Sequence, residues 1–192
     1  MRWTWIGHLM AAEALAFTGV ALSLAWAAHG LLPDTVAVVG AGFWEGLCLG
    51  SAQALVLPRL GVRPLPWAIS TVLIAVFGYA AGLIAHNTGS LPNAPGIWMV
   101  LVYAAALGGL YGLFMGTVQS MVARGAVDRI AWIGRTAIGW AFAMPVIFFG
   151  SSLVSLATDM GTIALTGAVT GAIAGLLIAR ATAPALPDLA EA

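Results

Sequence analysis

The sequence has no lysine and only one cysteine, and charged residues make up just 7% of its 192 positions. Each scarcity excludes something. Ordinary soluble domains carry roughly 25% charged residues, so a water-facing surface of normal composition cannot be built from this chain. One cysteine, Cys48, forms no internal disulfide and has no second thiol for a metal site. A formal net charge of zero gives no basic patch for nucleic acid. Also missing are a zinc-type H-E-x-x-H, a G-x-S-x-G elbow, a phosphate-binding glycine loop and paired histidines at haem-like positions. The reading is accordingly not an enzyme, with no metal site and no identifiable cofactor.

What is present is apolar: 61% hydrophobic residues and a mean hydropathy of +1.01. A hydrocarbon core about 30 Å thick needs roughly 20 apolar residues per helix. Six such runs are legible: Trp5–Ala28, Val36–Leu57, Trp67–Ala85, Ile97–Val122, Ile130–Leu153 and Thr162–Ala179. The fold class expected is all-α, a single six-helix transmembrane domain over 1–182 with a flexible tail over 183–192. Arg2 and Ala25-Trp26-Ala27 imitate a secretory signal, but Glu13 interrupts the run and the expectation is a retained helix. Pro33, Pro58, Pro64, Pro66, Pro92 and Pro95 fall in connections, whereas Pro145 lies inside the fifth span and predicts a kink.

The basic residues are all arginine: Arg2, Arg59, Arg63, Arg124, Arg129, Arg135 and Arg180. With six spans they fall on one side, which the positive-inside rule makes cytoplasmic. The expected location is the cell inner (plasma) membrane, multi-pass, with both termini in the cytoplasm. Trp3, Trp5, Trp67, Trp98 and Trp132 lie near span ends and fit interfacial anchors. Asp34 and Asp159 stand at helix starts, where a carboxylate suits the N-cap, and His29 and His86 read as interface histidines.

Internal similarity organises the rest. Gly42, Gly46, Gly50 and Gln53 recur as Gly108, Gly112, Gly116 and Gln119, and a worn third copy carries Gly167, Gly171 and Gly175. Arg59, Arg124 and Arg180 close the three copies, and a tryptophan follows the first two, as Trp67 and Trp132. The parse is three helical hairpins, about 5–57, 67–122 and 130–180, each with an outgoing tryptophan-led helix and a returning glycine-striped one. Glycine every fourth residue puts a bare stripe on one helix face, which lets a neighbouring backbone approach. The nine stripe glycines are therefore packing residues.

The candidate binding residues are polar side chains inside the spans. His8, Ser70 and Arg135 each follow a tryptophan by three residues. His8, Arg135, Gln53 and Gln119 are expected to share one polar layer near the cytoplasmic face, either a structural hydrogen-bond layer or a small-anion site. Glu45 lies near mid-membrane, where an ionised carboxylate is costly and must be protonated, paired or wet. Its matching positions are read as Tyr111 and Thr166. Glu13 is expected to pair with Arg135 or His8.

The repeat carried by Gly46, Gly50, Gln53, Arg59 and Trp67, then by Gly112, Gly116, Gln119, Arg124 and Trp132, resembles that of a group of uncharacterised multi-pass bacterial membrane proteins. This resemblance implies no activity. In size and span count alone, and not through Ala12-x-x-x-Ala16, the chain is also similar to substrate-capturing subunits of energy-coupling-factor transporters. The function expected first is a non-catalytic integral membrane subunit in the lipid bilayer that packs against other membrane subunits or itself, with lipid or pigment as bound groups. The alternative is a small-solute or ion transporter or channel using Glu45 and the polar layer.

Overall fold

The structure, a computed structural model, describes residues 2–87, 96–157 and 159–186. It contains six long helices: α1 (Arg2–Ala28), α2 (Asp34–Val56), α3 (Pro64–Asn87), α4 (Ile97–Ala123), α5 (Arg129–Val154) and α6 (Met160–Thr182). All six are long and apolar enough to cross a membrane. The chain is thus an all-α, multi-pass membrane protein whose outer surface meets lipid. Leu55, Leu73, Leu110, Phe142 and Leu165 all point outward, as a hydrocarbon solvent permits. Pro92 and Pro95 lie outside the described residues, as does the side chain of His86.

The helix ends follow from local chemistry. Asp128 accepts from the Ala131 N–H at 2.7 Å and starts α5. Asp159 accepts from the Thr162 N–H at 2.8 Å and from its hydroxyl at 2.6 Å, and starts α6. Helix α4 ends with Arg124 and Gly125 both at positive φ, a left-handed stop that glycine adopts without strain. Helix α5 runs unbroken through Pro145. The 3₁₀ turns Leu57–Leu60 and Ala183–Ala185 continue α2 and α6. The second corrects the tail expected over 183–192: Ala183, Ala185 and Leu186 are buried in the core, so of that stretch only 187–192 lies beyond the described residues.

Hydrogen bonds from Thr162 hold the Asp159 carboxyl below its ordinary value of 3.8. A carboxyl lowered on folding stabilises the native state above the unfolded value and loses that contribution as pH falls through the folded one. Acidification below pH 3.8 is therefore expected to fray the start of α6 in the wild type, and Asp159→Ala to remove that pH dependence, as read by amide exchange at Thr162 and Ile163.

The helices form a closed ring in chain order, α6 returning to α1, with every neighbour antiparallel. The closest seams are α2 with α3, α4 with α5, and α6 with α1. These join the second helix of each sequence hairpin to the first helix of the next, not to its own partner. The glycine stripes explain why. A Cβ on Gly46 would lie 2.6 Å from Val72 Cα of α3, and one on Gly50 3.1 Å from Ala68 Cα. On Gly112 it would meet Thr136 O of α5 at 2.6 Å, and on Gly116 Ile133 Cα at 2.9 Å. On Gly175 it would meet Leu9 O of α1 at 2.6 Å. In lipid there is little hydrophobic drive between helices, so such close contact supplies much of the attraction.

These contacts correct the register read for the third glycine helix. Gly42 faces Ala75 and Tyr79, Gly108 faces Trp140 and Met144, and Gly171 faces the equivalent pair, Glu13 and Phe17. Matching Gly46, Gly50 and Arg59 to Gly167, Gly171 and Arg180 puts Ile163 at that place, eight residues too early. Glycine every fourth residue matches itself when slid along a helix, so spacing alone does not fix register.

Candidate functional site

Two layers of buried polar groups cross the bundle. The first lies at the arginine end, where α1, α3 and α5 begin. Trp5, Trp67 and Trp132 are fully buried and meet edge to face, with ring centroids 6.0 Å apart for Trp5–Trp132 and 5.5 Å for Trp67–Trp132. This corrects their expected place at the membrane interface: closing the ring turns one tryptophan from each odd-numbered helix inward. Trp3 and Trp98 remain exposed.

Each indole N–H needs a partner once it is out of water. Trp67 Nε1 donates to Gln53 Oε1 at 2.8 Å, and Trp5 Nε1 donates to Thr182 Oγ1 at 3.0 Å. Gln119 Nε2 donates to Gln53 Oε1 at 3.2 Å and to Thr71 Oγ1 at 3.1 Å. Trp132 Nε1 and Gln119 Oε1 have no partner among the described residues. Gln53 and Gln119 therefore do share a layer, but His8 and Arg135 do not join it. His8 Nδ1 bonds its own helix at Thr4 O, 2.8 Å, and the exposed Arg135 reaches Ala181 O at 3.5 Å. Three residues put a side chain about 60° to one side of the inward tryptophan and four put it about 40° to the other; here His8 and Ser70 are half-buried and Arg135 exposed, while Thr71 and Thr136 are buried. Thr182 was missed because the third helix was aligned on its glycines and Arg180. Aligning it on an acceptor for Trp5 would have found it.

The second layer lies about two turns deeper. Glu13 is fully buried on α1, with Gly171 and Gly175 of α6 against its backbone and side-chain stem. Glu45 is buried on α2, beside Gly46 at the α2–α3 seam. Tyr79 of α3 donates its hydroxyl to Glu45 Oε2 at 2.5 Å. Tyr111 of α4 packs edge-on against Trp140 of α5, centroids 4.7 Å apart, and Gly78 makes room for it: a Cβ there would lie 2.8 Å from the Tyr111 ring. Glu13, Glu45, Tyr79 and Tyr111 lie close enough to interact electrostatically.

Neither oxygen of Glu13 has a hydrogen-bond partner among the described residues, so the expected pairing with Arg135 or His8 is absent. Burying an ion costs several kcal/mol even after relaxation, and a second carboxylate nearby adds repulsion. Two bare anions here would be a high-energy state; the pair needs a proton or a cation. Thr166 is not the third counterpart of Glu45 and Tyr111: in the register of the seams that position is the buried Ala174. The signal that pointed to Glu13 and Glu45 was depth in an apolar run. Tyr79 carried no such signal, since a tyrosine in a span reads equally well as lipid-facing.

At the end away from the arginines, a crevice of about 290 Å³ opens between α1, α5 and α6, with His29 at its mouth and Phe17, Gly167 and Thr170 at its floor. A wider apolar groove between α1 and α2 carries the half-buried Cys48. Among the described residues no cluster of three or more His, Cys, Asp or Glu is available to hold a metal.

The ring and its buried carboxylates define a multi-pass helical membrane protein. No protein-family model, no curated protein and no solved structure matches the chain.

Proposed function

We propose that the chain is a small membrane carrier in which the Glu13–Glu45 pair takes up and releases a proton. The observation that carries this reading is Glu13 itself, fully buried with both oxygens unpartnered among the described residues and a second buried carboxylate nearby. Such a residue inside a span is a functional site by default. A proton fits better than a metal ion, because among the described residues no group of three or more His, Cys, Asp or Glu stands together to hold one. The orientation that goes with this reading has the arginine end and both termini in the cytoplasm, the bundle being three copies of one hairpin in the inner membrane.

The other reading, a non-catalytic subunit of a larger assembly, drew in part on the number of glycine stripes. All nine stripe glycines face a neighbouring helix of this chain, so the stripes themselves leave no bare face for a partner.

Proton flux into vesicles reconstituted with the purified protein tests the proposal. Glu13→Gln and Glu45→Gln keep the shape and remove the titrating group. Each is expected to lower flux about tenfold or more, a barrier change of about 1.4 kcal/mol. Wild-type rates in both variants would remove the pair from the mechanism.

A further inference from the structure

We propose that the crevice between α1, α5 and α6 is a water-filled entry through which protons reach Glu13 from the end opposite the arginines, with Phe17 closing its floor. The inference rests on the proton-carrier reading above and adds a route and a side. From the mouth at Ala28 and His29 the crevice runs down α1 to Phe17. Phe17 is one helical turn from Glu13 on the same buried face, and one turn is about 5.4 Å. Gly167 and Gly171 clamp this stretch of α1 against α6.

The volume suits water. About 30 Å³ per molecule in the liquid gives a crevice of about 290 Å³ room for several. Water also needs polar partners, and in walls that are otherwise apolar these come from His29, Ser151, Ser155 and Thr170. On the other side of Glu13 the way is shut by the buried tryptophan trio and by Gln53, Gln119 and Thr71. A proton handed along the waters adds to one Glu13 oxygen when Phe17 swings aside, leaving a neutral acid, and the water that gave it up is restored from the outside. The approach to Glu13 is therefore one-sided, and it opens when Phe17 moves. Release toward the arginine end requires the tryptophan trio to part.

Thiol accessibility tests the route independently of flux. In a Cys48→Ser background, Thr170→Cys at the floor and Ser151→Cys higher on the wall are treated with a charged, membrane-impermeant methanethiosulfonate from either side of oriented vesicles. Both thiols are expected to react from the side away from the arginines only, and modification at position 170 to lower proton flux about tenfold. Leu165→Cys, on the lipid-facing side of α6, should stay unreactive. No reaction at positions 170 and 151 would overturn the proposal and leave the crevice to lipid or an apolar solute. So would reaction without loss of flux in a protein whose Glu13→Gln variant has lost it. Unaltered flux in Glu13→Gln would instead strike at the carrier reading, whatever the thiols do.

Discussion

Gly171→Leu is expected to break the ring open between α1 and α6. A Cβ at position 171 would collide with the Glu13 carbonyl oxygen and lie 2.9 Å from Phe17 Cβ. The first obstacle is backbone, which cannot rotate out of the way as a side-chain tip can. Overpacking a core costs typically about 1–3 kcal/mol. This site belongs at or above the top of that range, because one of the tightest seams in the ring must separate. The control is Gly82→Leu on α3, where a Cβ would meet nothing within 4 Å. There, stability should stay within about 0.5 kcal/mol of wild type. Melting temperature in mild detergent reads both. If the two variants melt alike, the α1–α6 seam is not held as described.

Glu13→Leu is expected to do the opposite to stability while removing activity. A buried polar group left without a hydrogen bond costs about 1–3 kcal/mol, which an apolar side chain of similar volume does not incur. Glu13 is well placed for such a gain, because no hydrogen bond to a described residue is lost with its carboxyl. Glu45→Leu should gain less, since it strands the Tyr79 hydroxyl that donates to Glu45 Oε2. The predicted pattern is a raised melting temperature for Glu13→Leu, a smaller rise or a fall for Glu45→Leu, and loss of proton flux in both. A destabilised Glu13→Leu would mean that the carboxyl has a structural partner.

The spans were legible because the bilayer demands long apolar runs, and the chain has six of them. The glycine stripes were legible too, as spacing. Their neighbours were not, because a stripe says which face is bare and not which helix comes to it. The hairpins read as the natural units, yet the closest contacts of Gly46, Gly112 and Gly175 run to α3, α5 and α1. Trp5, Trp67 and Trp132 show the same limit. Position near a span end reads as interfacial, and only closure of the ring puts all three on the inside. Glu13 and Glu45 could be placed by depth, but their proximity depends on how each helix is rotated about its axis. That rotation is set by the glycine seams.

The carrier reading stands on Glu13 holding a proton in the folded protein. Infrared difference spectroscopy of the bilayer-embedded wild type against Glu13→Gln measures this directly at neutral pH. The account predicts a carboxylic-acid carbonyl band in the wild type that is missing from the variant. A carboxylate band at Glu13, with no acid band lost on substitution, would contradict it.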